Sequence, residues 1–293
     1  MHFWTDAFAA SLAFVFGLMP KKMRWSFAKC LAWLWFDGLR LRRFTILKNL
    51  TIAFPNSSKP ERYRLARLSM QNLCYNFIEF SQLPNMDLKW VEKDVVFHGL
   101  ENYHQALQKK KGLLMLSLHV GNGDVGVAAL ALHGIKVHLI SKKFKNAFLN
   151  RFWFGVREAK GTRFMEAHGR SLPFEILKAC KQNEAVVFVI DQFMGKPYGI
   201  ETKFFGRKTG SPYGLSLFAL KTGAPVLPIY AYRDEELRTH VVIEPEVPFE
   251  LVGEDKDLQT RAMTQKYNDK VEQIVRAHPE QWMWVHRRWK TWE

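Results

Sequence analysis

The run Leu113-Leu-Met-Leu-Ser-Leu118 leads directly into His119-Val-Gly-Asn-Gly-Asp124. A short, almost unbroken apolar run reads as a buried strand. Glycines at 121 and 123 interrupt the pattern and let the backbone turn tightly. Val125, Val127, Ala128, Ala129, Leu130 and Leu132 can then cover one side of a helix. Strand, glycine turn and helix together place His119 at a strand end and Asp124 at a helix start. An imidazole held by a carboxylate can take a proton from a hydroxyl. A hydrogen-bonded loop histidine followed by an N-cap aspartate would show the same spacing, so the rest of the chain has to decide.

The chain around this segment keeps alternating. Val95–Phe97 reads as a strand, residues 100–109 as a helix, 113–118 as a strand and the stretch after Asp124 as a helix. Lys136–Ile140 is then a strand and 146–160 a helix. Ala185–Ile190 reads as a strand, Ser211–Lys221 as a helix, and Pro225–Ala231 and Thr239–Ile243 as strands. Residues 257–277 form a last amphipathic helix, with Met263, Tyr267, Val271 and Ile274 on one face. Before this region, a loop at Phe54–Pro60 opens a helix to about Ser81, with Ala66, Met70, Leu73, Phe77 and Phe80 along a stripe. Strands alternating with helices define an α/β class with a mostly parallel central sheet flanked by helices.

The first 43 residues differ. Phe3 to Met19 is nearly all apolar, with Asp6 its one charge, and Trp25 to Leu39 is apolar and aromatic again. Lys21, Lys22, Arg24, Arg40, Arg42 and Arg43 flank these stretches. The first stretch is short for a span, which needs about 20 residues, and it lacks the flanks of a signal peptide. A hydrophobic helical anchor or hairpin fits, with its basic residues on the cytosolic side of a membrane; two buried core helices are the other reading. The expected organisation is a membrane-associating segment over 1–43 and one catalytic domain over 44–293.

Net charge is +15, from 43 Lys and Arg against 28 Asp and Glu. Such a field favours anionic partners: nucleic acid, anionic lipid, a phosphorylated glycolipid or an acidic carrier protein. Cys30, Cys74 and Cys180 are scattered, so no disulfide frame or zinc spacing is implied and a reduced, cytosol-facing protein is the simple reading. His133 and His138 also sit five apart, but His138 falls within a strand pattern, and no metal site is expected. No Gly-x-Ser-x-Gly elbow supplies a serine nucleophile.

Further elements stand in a definite order. Asn49-Leu50 precedes Phe54-Pro55; Asn146, Arg151 and Arg157 lie on the helix before Gly161; Asp191-Gln192 ends an apolar run; Phe204-Phe205-Gly206 is followed by Thr209. Near the C-terminus stands Gln281-Trp-Met-Trp-Val-His-Arg-Arg-Trp-Lys290. With His119-x4-Asp124, this order resembles the late acyltransferases of lipid A biosynthesis, the lauroyl and myristoyl transferases, within the wider lysophospholipid acyltransferase-like superfamily. The resemblance runs over nearly the whole chain. Asp124 stands where that family usually has Glu, Ile190 where it usually has Pro, and Lys142-Lys143 where Arg-Pro is usual.

The resemblance implies transfer of an acyl group from a thioester to a hydroxyl of a membrane glycolipid. His119 would be the base, and Asp124 would fix its tautomer and stabilise the imidazolium. Arg157, with Asn146 and Arg151, would bind substrate, through a phosphate or by stabilising developing charge; the alternative is a solvated helix face. Asp191 and Gln192 would orient Arg157 or another cation, or serve as a turn. Phe204, Phe205, Gly206 and Thr209 would line acyl space, or pack as core. The Trp-rich tail would be core, membrane interface, or both. Acyl carrier protein or an acyl-coenzyme A would be the donor, a co-substrate and no bound cofactor. The location implied is the cytosolic face of the inner membrane. Other acceptors, such as a lysophospholipid, a mannosylated lipid or an amino-acid lipid, keep the same fold. A basic membrane- or nucleic-acid-binding protein would leave the ordered motifs unexplained.

Overall fold

The structure is a computed structural model that describes residues 3–248, 253 and 255–292. It opens with α1 (Phe3–Gly17) and α2 (Lys21–Trp33), a turn of π-helix (Leu34–Gly38), α3 (Arg43–Ala53) and the long α4 (Lys59–Ser81). Ser58 and Glu61 close a reciprocal capping box at the start of α4. Then come α5 (Leu88–Asp94), β1 (Val95–His98), α6 (Leu100–Leu107), β2 (Leu113–Ser117) and α7 (Gly123–Leu132). The middle of the chain holds β3 (Val137–Ser141), α8 (Ala147–Glu158), β4 (Arg163–Glu166), α9 (Leu172–Lys181) and β5 (Ala185–Val189). A hairpin of β6 (Gly199–Phe204) and β7 (Arg207–Pro212) follows, then α10 (Gly214–Thr222), β8 (Val226–Arg233), β9 (Thr239–Ile243) and α11 (Lys256–Ala277).

Seven strands form one sheet in the order β1-β9-β8-β2-β5-β3-β4. Every pairing is parallel except β8 with β9, which makes the central sheet mostly parallel, with helices on both faces. Strand β2 lies in the middle, and Leu113 to Leu116 are all 0 % exposed. Side chains alternate across a strand. Leu114 and Leu116 therefore join a core with α4, α9, α10 and α11, while Leu113 and Met115 join a second core with α5, α6 and α7. Each such side chain contributes about 1.5–3 kcal/mol by burial, which explains why the run carries no polar alternation.

No described helix is long and apolar enough to cross a membrane; α1 has 15 residues. The expected hydrophobic anchor therefore does not take the form of a span. Ala9, Ala13, Ala28 and Ala32 are buried, as is Phe36 after them, so the N-terminal helices lay their alanine side chains on the body of the protein. The opposite side stays apolar and open, with Trp4, Phe14, Leu18 and Trp33 exposed.

The loop after β2 is clamped. Gly121 donates to the Gln281 carbonyl at 3.0 Å, its own carbonyl accepts from Asn76 Nδ2 at 2.6 Å, and Met283 N–H donates to the His119 carbonyl at 3.1 Å. Gly121 has φ +56°, and a Cβ there would lie 2.1 Å from the Ala231 carbonyl oxygen. Gly121→Ala is expected to cost at least about 2 kcal/mol, since a left-handed backbone and overpacking each cost about 1–3. Denaturant unfolding checks this; an unchanged midpoint would mean that the loop yields.

Candidate active site

The sheet register builds the site. Ser117 of β2 pairs with Val189 of β5, and both strands run in the same direction. Two residues further on, His119 and Asp191 emerge side by side at the carboxyl ends of adjacent central strands, where open α/β sheets place their ligands. His119 Nδ1 lies 2.8 Å from Asp191 Oδ1, and His119 N–H donates to Asp191 Oδ2 at 3.0 Å. Trp282 Nε1 donates to the same Oδ2 at 2.7 Å. Asp191 is 2 % exposed. Burial alone would raise its carboxyl, but His119 and these hydrogen bonds hold it down at about 2. An ionised Asp191 requires a hydrogen on Nδ1, which leaves Nε2 as the basic nitrogen. The His119 side chain is 40 % exposed, so this ring is open to a partner. Burial disfavours the imidazolium; Asp191, and more weakly Asp124, outweigh that and raise its pKa above the ordinary value.

Asp124 was expected to hold the imidazole, but the structure gives that position to Asp191. Asp124 accepts instead from Arg157 Nε at 2.7 Å and also from Nη2. The reason is local: Asn122, not Asp124, caps α7, accepting from the N–H groups of Asp124 and Val125 at 3.2 and 3.3 Å. Asp124 thus lies in the first turn, half-buried and turned toward α8. Arg157 is correspondingly no solvated residue, being 6 % exposed. Its guanidinium lies 4.2 Å from the Trp153 ring centroid and 5.0 Å from that of Phe80, and Nη1 donates to the Trp153 carbonyl at 3.1 Å. The Nε/Nη2 edge that would grip a phosphate bidentately is taken by Asp124.

The remaining expected residues divide into two groups. Asn146 caps α8 by accepting from Leu149 N–H at 2.9 Å, and it is exposed, as is Arg151. Gln192 is half-buried beside Asp191. Phe204, Phe205, Gly206 and Thr209 belong to the β6–β7 hairpin. Phe205 and Gly206 are its two turn residues, with φ of 50° and 72°, as a two-residue hairpin turn requires. Phe204 is 0 % exposed and packs on Trp282 and Trp289 at 5.8 and 5.5 Å between centroids. Phe205 packs on Phe54 at 5.8 Å, and Thr209 Oγ1 donates to the Arg288 carbonyl at 2.7 Å. Phe204, Phe205 and Thr209 are core, and Gly206 is exposed at the turn. Phe204 stands behind Asp191 through Trp282, which donates to the Asp191 carboxylate. The tail is core as well: Trp282, Trp284 and Arg288 are almost fully buried, and Asn49 Nδ2 binds the Trp284 and His286 carbonyls at 2.8 and 2.7 Å.

Sequence reasoning missed the polar frame beneath the loop. Glu79 and Arg233 form a buried ion pair at 2.6 Å. Arg233 also donates to Asn76 Oδ1 at 2.7 Å and Asn72 Oδ1 at 2.8 Å, and Asn122 Nδ2 donates to Glu79 at 3.0 Å. The available signal was a glutamate and two asparagines, Asn72 and Asn76, inside the otherwise apolar run Leu73–Phe80 and its approach. His286 was also passed over; burial pushes its imidazole down to about 4, although Asp191 opposes this.

Arg157→Ala should strand Asp124 and lower stability by about 3 kcal/mol, with an equal loss of turnover on phosphorylated and dephosphorylated acceptors. Unfolding curves and kinetics on a matched acceptor pair check this. A loss confined to the phosphorylated acceptor would restore phosphate binding as the role of Arg157.

A carboxylate-held imidazole at a sheet's carboxyl edge has the chemistry to accept a proton from a hydroxyl. Residues 1–291 match the model of the bacterial lipid A biosynthesis acyltransferase family, and the chain belongs to that family. It is 24 % identical to lipid A biosynthesis acyltransferase 2 of Shigella flexneri, over 85 % of this chain and 77 % of the relative. It is 26 % identical to the lipid A biosynthesis palmitoleoyltransferase of Escherichia coli K12, over 86 % and 80 %. It is also 26 % identical to the phosphatidylinositol mannoside acyltransferase of Mycobacterium tuberculosis, over 83 % and 75 %. The chain is accordingly an enzyme of the lipid-acylating class.

Proposed function

We propose that this protein moves a fatty acyl chain from an acyl thioester to a hydroxyl of a membrane glycolipid, a lipid A precursor in the first instance. The observation that carries this reading is His119, fixed through Nδ1 by Asp191 with Nε2 free, inside a chain of this family. Nε2 accepts the proton of the acceptor hydroxyl as that oxygen attacks the thioester carbonyl. The imidazolium is then held by Asp191, with Asp124 adding a weaker pull and Arg157 opposing it. When the tetrahedral intermediate collapses, the C–S bond breaks and the imidazolium gives its proton to the departing thiolate, which leaves as the free thiol. No covalent enzyme intermediate is needed. Asp124 and Arg157 act as one ion pair that shapes the wall beside the imidazole.

An acidic acyl carrier protein suits a chain of net charge +15, and acyl-coenzyme A is the other donor of the same chemistry. The exposed apolar side of α1 and α2, with Lys22, Arg40 and Arg42 beside it, would rest on the cytosolic face of the inner membrane without spanning it. A mannosylated acceptor is the second reading, favoured by the mycobacterial relative.

The test is an assay of the purified full chain with acyl carrier protein thioester or acyl-coenzyme A, against a lipid A precursor and a mannosylated lipid. Mass spectrometry of the acceptor should show the gain of one acyl group. Hydrolysis of the thioester without acceptor acylation would sink the proposal.

A further inference from the structure

The corner between α2 and α3 departs from regular backbone in two ways. Leu34–Gly38 is a turn of π-helix, a form found mostly as short bulges, often at functional sites. Arg40 and Arg42 then adopt left-handed backbone, with φ of 55° and 59°, which side chains carrying a Cβ rarely do. The result is a partition. Leu39 and Leu41 line a groove of about 440 Å³ whose walls include Leu12, Phe16, Trp35 and Phe77. Arg40 and Arg42, chain neighbours of these two leucines, are exposed and absent from the lining, and Arg43 is half-exposed.

The groove opens into apolar surface. Trp33 is 62 % exposed, Phe44 79 % and Phe77 47 %. Apolar surface of this kind beside paired arginines calls for a ligand with a hydrocarbon part and an anionic part. Its lining includes none of His119, Asp124, Arg157 or Asp191. The α4 residues that reach the loop after β2, Asn76 and Glu79, are also different from those that wall the groove. The reacting acyl chain and acceptor therefore have no evident need of it.

We propose that this groove seats one hydrocarbon chain of an anionic phospholipid of the bilayer, with Arg40 and Arg42 on its phosphate. The site would fasten a chain with no described membrane-spanning helix to one leaflet. This proposal does not rest on the acyl-transfer reading.

The test uses the full chain. Flotation with phosphatidylcholine vesicles is compared with flotation on phosphatidylcholine–phosphatidylglycerol vesicles, and native mass spectrometry reads any retained lipid. Arg40→Gly with Arg42→Gly keeps the left-handed backbone and removes both charges. It should lower the preference for phosphatidylglycerol by about 30-fold, while the double lysine variant retains most of it. Leu12→Trp fills the groove and should abolish retention of one phosphatidylglycerol per chain in protein whose melting curve matches the parent. No retained lipid in the parent, or unchanged binding in the double glycine variant, overturns the proposal. Retention unchanged by Leu12→Trp places the lipid elsewhere and also overturns it. Displacement of phosphatidylglycerol by the glycolipid acceptor, one for one, would make the groove an acceptor site and overturns it as well.

Discussion

Replacing His119 with alanine is expected to lower acyl transfer by about 10²–10⁴-fold, the usual contribution of a positioned general base. The side chain is 40 % exposed, and its Nδ1 is hydrogen-bonded to Asp191. The backbone bonds that hold the loop, from His119 N–H to Asp191 and from Met283 N–H to the His119 carbonyl, do not need the imidazole. The variant should still fold, with a lowered melting temperature, because buried Asp191 loses its imidazole partner but keeps the bonds from His119 N–H and Trp282 Nε1. Initial rates under saturating thioester and acceptor give the result. A rate within a few-fold of the parent would mean that another group takes the proton.

The second large effect should come from Asp191→Asn, on the order of 10²–10⁴-fold, because an amide in place of the carboxylate loses the charge that stabilises the imidazolium and can select the wrong tautomer. The pH profile adds a signature that a purely structural role would not give. A general base must be neutral, so activity rises as the imidazolium loses its proton. Asp191 raises that pKa, so the parent's rising limb should lie above the ordinary imidazole value of about 6.5. With Asn at 191, burial is left to favour the neutral ring, and the limb should move to lower pH while the plateau falls. Asp124→Asn should move the limb much less, because Asp124 binds Arg157 and not the ring. Asp124→Glu should keep partial activity. If Asp124→Asn shifts the limb and Asp191→Asn does not, the two carboxylates have been assigned the wrong way round.

Much of the fold was legible in the chain because its signals are local. The apolar run at β2, the glycine turn after it and the amphipathic period of α11 each lie within a few residues, and the elements stand close to where the sequence puts them. The strand β4, the helix α9 and the β6–β7 hairpin were not read; residues 199–212 mix polar and apolar side chains, and their pairing is fixed by contact with α11 and the tail. On α4, the expected stripe includes Phe77, which is 47 % exposed, while Glu79 is buried. That helix is packed on more than one side, and a single stripe cannot describe it.

The candidate site divides along the same line. By itself the sequence determined that His119 ends a central strand and that Asp124 opens the next helix, since strand, turn and helix are properties of contiguous residues. Which carboxylate meets the imidazole depended on tertiary structure. Asp191 lies 72 residues away, and it arrives beside His119 only because β5 pairs in parallel with β2 at Ser117 and Val189. The choice of cap at Asn122 then turned Asp124 toward Arg157. The aromatic motifs have the same history: Phe204, Phe205, Trp282 and Trp289 are scattered along the chain but share one buried cluster, with half-buried Phe54 packed against it. Their role as the support behind Asp191 follows from burial and packing, which depend on residues distant in sequence and leave no local pattern.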